Sequence, residues 1–292
     1  MNHLRQPSFY HVAGACAAIA LVVCASRDPH ASAPFVARTW EALSRVLVYA
    51  VSIALAAGPF VLVGALVATC AVRLPAKSWP AAIALAALCP GCDCSMNGFV
   101  DALRHCPPPL AGAALMWGAA CNPAALLATL SVLGPRALLA RAVGGAVAAT
   151  TVALLWSMLR GAHKWHAAAR ACAMHADLTE RVERALRSLL PAAAIASVAL
   201  VSVPEPLRTH LSPTVAAIAG ALISPCSTAD PVLARVLCST PAAQAAFIVA
   251  AQCADVRQIF LLARSYGTCR AALAMIGGAA GCVAAAMIGY LS

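Results

Sequence analysis

Apolar positions along the chain gather into nine blocks, near residues 10–25, 43–72, 79–104, 107–133, 137–159, 187–203, 211–237, 241–265 and 268–291, with short polar stretches between them. Runs of this length with few charges predict membrane-spanning helices, and Pro or Gly interrupts several of them. The 79–104 block is atypical: Trp79 to Cys89 is stopped by Pro90 and Gly91, and Ser95 then precedes another short apolar run that ends at Arg104. About eleven helical residues reach only ~16 Å, half of the ~30 Å hydrocarbon core. Such a segment either crosses as a broken helix or enters and returns as a hairpin.

The pattern repeats. Cys94, Ser95, Cys106, Pro109 and Cys121 recur 132 residues later as Cys226, Ser227, Cys238, Pro241 and Cys253, with the same internal spacings. The expected organisation is an N-terminal helix and linker (1–42), a first repeat (43–159), a connecting loop (160–186) and a second repeat (187–292). The predicted fold class is therefore all-α: a polytopic integral membrane protein of about seven to nine hydrophobic segments in two repeats with broken or re-entrant helices. If the short segments cross, the repeats are parallel; if they re-enter, three crossings remain per half and the halves insert in opposite senses. The inverted arrangement is expected, because it lets both cysteine-bearing breaks line one cavity.

Composition agrees with a bilayer, at 62% hydrophobic and 10% charged residues. The net charge of +10 does not indicate a nucleic-acid partner, since Lys and Arg are spread through short loops. Their largest group, Arg160 to Arg187, fits a cytoplasmic loop. The first block is expected to stay as an uncleaved helix rather than leave as a signal peptide. Fourteen cysteines in mostly apolar stretches do not form a disulfide framework. Cys16, Cys24, Cys70, Cys269 and Cys282 are expected to pack as small hydrophobes.

Candidate chemistry concentrates at the interruptions. Cys89-Pro90-Gly91-Cys92-Asp93-Cys94-Ser95 places three thiols and a carboxylate at a helix break, with Ser95 as a plausible N-cap. Thiolates there would offer soft ligands to a thiophilic substrate. Ionised carboxylates are costly at membrane depth, which singles out Asp93, Asp230 and Asp255. Asp255 precedes Arg257 by two residues, a spacing that pairs them only at a local break. Asn122-Pro123 interrupts a later segment, and in register its counterpart is Ala254-Asp255. His163, His166 and His175 read as a solvated histidine-bearing loop rather than a metal site.

These segments resemble the bacterial predicted-permease family that includes the ArsP-type organoarsenical efflux permeases and the YraQ-like proteins. In the first half the family's Cys, acid, Cys, Gly pattern is met by Cys92, Asp93 and Cys94, with Ser95 in place of Gly and Gly98 in place of the following Pro. The family's Asn-Pro is met by Asn122 and Pro123. In the second half Cys226, Ser227 and Asp230 meet a Cys-Ser-x-x-Asp pattern, and Asp255, Val256 and Arg257 meet an acid, aliphatic, basic triplet. The proline that precedes each second motif in the family is Ala119 and Gln252 here.

The resemblance implies a multi-pass permease of the bacterial inner membrane that exports a small thiophilic solute by alternating access. It does not imply an enzyme, and neither a cofactor nor a resident metal is expected. The expected binding set is Cys92, Asp93, Cys94, Ser95, Asn122, Pro123, Cys226, Ser227, Asp230, Asp255 and Arg257, with Asp93 or Asp255 carrying a coupling proton. No Walker A motif occurs, so the energy comes from an ion gradient or a separate subunit. Expected partners are the lipid bilayer and a small-molecule or ion substrate, and a homodimer is compatible with the sequence. Two other readings compete: a thiol-disulfide oxidoreductase using Cys89 and Cys92, and a metal-sensing membrane anchor built on the 163–187 loop.

Overall fold

The computed structural model describes residues 40–52, 54–55, 86, 99–100, 103, 106–159, 179, 183, 193–194, 197–198, 201, 211–224, 227 and 229–291. Among them the regular structure is helical throughout, with no strand. After a helical stretch at 40–52 the helices run α1 (Pro108–Cys121), α2 (Pro123–Leu133), α3 (Pro135–Met158), α4 (Pro213–Ile223), α5 (Asp230–Leu237), α6 (Pro241–Cys253), α7 (Val256–Tyr266) and α8 (Thr268–Tyr290). Four units are long and apolar enough to cross a membrane: Pro108–Leu133, Pro135–Met158, Pro241–Tyr266 and Thr268–Tyr290. The blocks at 10–25, 79–104 and 187–203 lie largely or wholly outside the described residues, as does most of 43–72.

Local chemistry explains where the helices stop. Asn122 sits in extended conformation between α1 and α2, and Pro123 has no N–H to continue the ladder. The Asn122 side chain serves both ends: its Oδ1 accepts from Ala125 N at 2.9 Å, and its Nδ2 donates to the Gly118 and Ala119 carbonyls at 3.4 and 3.3 Å. Asp255 does the same for α7, its Oδ1 accepting from Arg257 N at 2.9 Å. Gly134 (φ 86°) and Gly267 (φ 92°) end α2 and α7 in a conformation that side chains resist, and a long helix follows each. The order helix, break, capped helix, left-handed glycine, long helix therefore occurs twice.

Cap matches cap across the two halves, which refines the sequence register. Cys121 and Cys253, at the ends of α1 and α6, keep the spacing of 132, but Ala254 is an extra residue. Asn122 consequently corresponds to Asp255, not to Ala254, and Gly134 to Gly267.

The two long helices run antiparallel and touch through small residues. A Cβ on Gly144 would lie 2.8 Å from the Gly281 carbonyl oxygen and 3.0 Å from Ala285 Cβ; one on Gly277 would meet Val152 and Ala148. Rising positions on α3 thus meet falling positions on α8, and glycine lets the backbones approach. Each half packs its broken helix against its own long helix at the same level. Gly145 faces Cys121, and Gly278 faces Cys253. Each glycine lies ten residues into its long helix, 145 against 135 and 278 against 268, or about 15 Å from one end. In a helix that crosses a ~30 Å hydrocarbon core, that is mid-depth.

Between the halves, α4 lies along α6, with Gly220 pressed against the Phe247 backbone. Ser227 and Ala229 are in turn conformation between α4 and α5, and Arg235 Nη1 of α5 donates to the Val132 carbonyl at 3.2 Å, near the end of α2. Gln244 Nε2 then donates to the Cys238 carbonyl at 2.9 Å at the start of α6.

Candidate functional site

Three chain interruptions converge on one buried polar cluster: the breaks at Asn122 and Ala254–Asp255, and the turn between α4 and α5. At its centre is Arg141, on α3 and fully buried. Its Nε donates to the Ala120 carbonyl at 2.6 Å, at the frayed end of α1. Nη1 donates to Thr129 Oγ1 at 2.9 Å, and Nη1 and Nη2 each reach the Ser227 carbonyl at 3.4 Å. Thr129 is itself held by donating to the Ala125 carbonyl at 2.7 Å. One guanidinium thus ties together α1, α2 and the α4–α5 turn, taking up carbonyls that the breaks leave without helical partners.

Asp230 opens α5 and is also fully buried. Ser224 Oγ donates to its Oδ1 at 2.9 Å, and Gln252 Nε2 donates to its Oδ2. Both donors are neutral. Arg141 binds the Ser227 carbonyl, three residues before Asp230. Asp255 is held differently, in an ion pair with Arg257: Nη2 lies 2.8 Å from Oδ2 and Nε 3.3 Å from Oδ1. Arg257 Nη2 also donates to the Ser224 carbonyl. Ser224 therefore joins the two acids, its hydroxyl on Asp230 and its carbonyl on the partner of Asp255.

Among the described residues the cluster holds two cations, Arg141 and Arg257, and two carboxylates, Asp230 and Asp255. Asp230 is held there by neutral donors, Asp255 by an ion pair. The pairing of Asp255 with Arg257 at a spacing of two depends on the extended conformation of Asp255 at the break.

No family model, curated protein or solved structure matches this chain. The site must be judged on its own geometry.

Of the residues expected from the sequence, Ser227, Asp230, Asp255 and Arg257 join the cluster, and Asn122 and Pro123 shape the break beside it. Cys92, Asp93, Cys94, Ser95 and Cys226 lie outside the described residues, as do Cys89 and the histidines of the connecting loop. Arg141, Ser224, Gln252 and Thr129 were not anticipated. Arg141, unlike Arg136 at the helix start, lies nearly two turns into an apolar helix, and that depth is the signal for the first. Gln252, near the end of α6, binds Asp230 through its amide.

The repeat-matched cysteines at the helix entries are not thiolate ligands. Burial pushes the Cys106 thiol up and that of Cys238 up to about 12, so both stay protonated at neutral pH. Among the described residues no group of His, Cys, Asp or Glu could hold a metal ion. Cys282 packs in the core as expected, while Cys269 is exposed. A groove of about 470 Å³ between α4, α6 and α8 reaches Ala254 at the second break, and its walls are chiefly alanine, Cys282 and aliphatic side chains.

Proposed function

We propose that this chain is a multi-pass permease of the bacterial inner membrane that exports a small thiophilic solute by alternating access, coupled to protons. The observation that carries this reading is the meeting of two mid-membrane helix breaks at a buried cluster of Arg141, Asp230, Asp255 and Arg257. A chain built only to pack against lipid has no use for four ionisable side chains at that depth.

Several features support two repeats inserted in opposite senses. α3 and α8 hold equivalent places and run antiparallel, and the contact of Gly144 with Gly281 mirrors that of Gly277 with Ala148. Such an arrangement follows from a two-fold axis in the membrane plane. Support for a re-entrant α4–α5 hairpin comes from its ends. Pro213 and Thr214 share a groove with Met287 and Tyr290 at the end of α8, and Arg235 reaches Val132 near the start of α3. Both ends then lie at one membrane face and the α4–α5 turn at the middle. The basic loop that follows Met158 assigns the opposite face, where α3 and α7 end, to the cytoplasm.

In this mechanism Asp230, held by neutral donors beside Arg141, takes the coupling proton, a role the sequence assigned to Asp93 or Asp255. Protonation removes the carboxylate's attraction for Arg141 and loosens the tie between α3 and the α4–α5 turn. Solute ligands come from Cys92, Cys94 and Cys226, the last adjacent in sequence to the turn that Arg141 holds. The test is uptake of trivalent methylarsenical into everted membrane vesicles, with and without a pH gradient, for wild type and Asp230→Asn. Gradient-driven uptake that Asp230→Asn loses is expected. Gradient-driven uptake by Asp230→Asn equal to wild type would remove Asp230 from coupling, and no uptake by folded wild type would remove the solute class.

A further inference from the structure

The buried face of α7 carries polar groups that have no hydrogen-bond partner among the described residues. Gln258 and Ser265 are 3% and 1% exposed, and neither Gln258 Nε2 nor Ser265 Oγ has a hydrogen-bond partner. Serine in a helix usually donates to the carbonyl one turn back, so an idle buried hydroxyl there is uncommon. Buried polar atoms are normally paired, by protein or by water. Cap-to-cap register places Ala125 and Val132 of α2 where α7 has Gln258 and Ser265. The same helix in the other half thus carries apolar residues at these two positions, and the architecture does not require an amide or a hydroxyl at either place.

Their positions form a line. Gln258 is three residues beyond Asp255, on the same side of the helix, and Ser265 lies two turns further, about 10 Å along. The face ends at Tyr266, whose ring is 5.1 Å from that of Trp156; Trp156 Nε1 donates to the Arg270 carbonyl at 2.9 Å, and the Arg270 guanidinium stands 6.0 Å over the same indole. The line therefore runs from the mid-membrane ion pair to an aromatic and cationic cluster at the end of α7. Phe260, 72% exposed, faces away from this line, on the side of α7 that also carries exposed Arg264 one turn further on.

We infer that the Asp255–Gln258–Ser265 face of α7 is one wall of a hydrated path for water, protons and a polar solute between the charged cluster and the membrane face where α7 ends. The inference rests on the permease reading and names the route by which its site opens. Water on this face satisfies both idle groups, and the Gln258 amide is the first hydrogen-bonding group a solute meets beyond the Asp255–Arg257 pair.

The test places single cysteines at Gln258, Ser265 and Phe260 of the full chain in everted membrane vesicles and treats them with a negatively charged methanethiosulfonate. Peptide mass spectrometry reads each position apart from the native thiols. Only an ionised, water-exposed thiol reacts, so a wet path makes Gln258→Cys and Ser265→Cys react at least about ten-fold faster than Phe260→Cys, despite their burial. Rates at both positions equal to or below that of Phe260→Cys would overturn the inference. Should Gln258→Cys fail to insert, Ser265→Cys decides alone, since it exchanges one oxygen for sulfur. The labelling needs no transported solute. Dry positions in a chain that transports would overturn the path alone, and wet positions in a chain that does not transport would overturn only the permease reading.

Discussion

Replacing Arg141 by methionine removes a charge while keeping most of the side-chain volume, and the structure sets what that costs. The strong hydrogen bonds lost are those to the Ala120 carbonyl at 2.6 Å and Thr129 Oγ1 at 2.9 Å. Within membranes such bonds average ~0.6 kcal/mol and reach ~1.7, so the pair accounts for about 1–3 kcal/mol. Leaving a buried carboxylate without its countercharge costs more, about 3–5 kcal/mol. The electrostatic part therefore dominates, and Arg141→Met is expected to destabilise the chain by at least about 3 kcal/mol. At roughly 2–4 °C per kcal/mol the melting temperature falls by about 6–12 °C. Asp230→Asn alone keeps an oxygen for the Ser224 hydroxyl but leaves the buried Arg141 without its countercharge, and is expected to cost about 3–5 kcal/mol in turn. The decisive variant is the double mutant, which no longer buries an unmatched charge and is expected to recover at least ~1 kcal/mol relative to the sum of the single changes. Thermal unfolding in detergent, followed by tryptophan fluorescence, measures all three. Strictly additive losses would show that Arg141 is not the countercharge of Asp230.

Packing and capping supply further tests. Gly281→Val puts atoms where a Cβ already lies 2.5 Å from the Gly144 carbonyl oxygen, and should lower stability by more than about 2 kcal/mol in the same unfolding assay. Gly134→Ala meets nothing within 4 Å but must hold φ near 86°, so its cost should stay near ~1 kcal/mol; a larger loss than at Gly281 would contradict the account of both glycines. Asn122→Ala removes the cap of α2 and the two donations to α1, and is expected to cost about 0.5–2 kcal/mol, with unchanged stability counting against the break as described.

Much of the fold was legible because Pro and Gly punctuate it. The apolar blocks at 107–133, 137–159, 241–265 and 268–291 match the four spanning units to within two residues at each end, and Pro108, Pro135, Pro241 and Gly267 mark their limits. A break within the 211–237 block was legible because Cys94-Ser95 recurs there as Cys226-Ser227; the limits of the two helices, Ile223 and Asp230, were not, since Ser224 and Ser227 barely dent a hydropathy average. The acids of the site were legible because carboxylates are rare in such segments. Arg141 was not singled out, because two cations near one end, Arg136 and Arg141, hardly alter the apolar character of a 24-residue helix. The extra residue at Ala254 was hidden as well: alanine-rich windows align equally well in neighbouring registers, and only the caps reveal the shift.

Alternating access requires that the polar cluster face each side of the membrane in turn. The most direct test is a cysteine at Ser227, 2% exposed and beside Arg141, probed with an impermeant thiol reagent from outside in spheroplasts and from inside in everted vesicles. The account predicts modification from both faces, slowed from both when Arg141 is kept and transport is blocked by Asp230→Asn. Modification from one face only, or from neither, in a chain shown to be folded would contradict it.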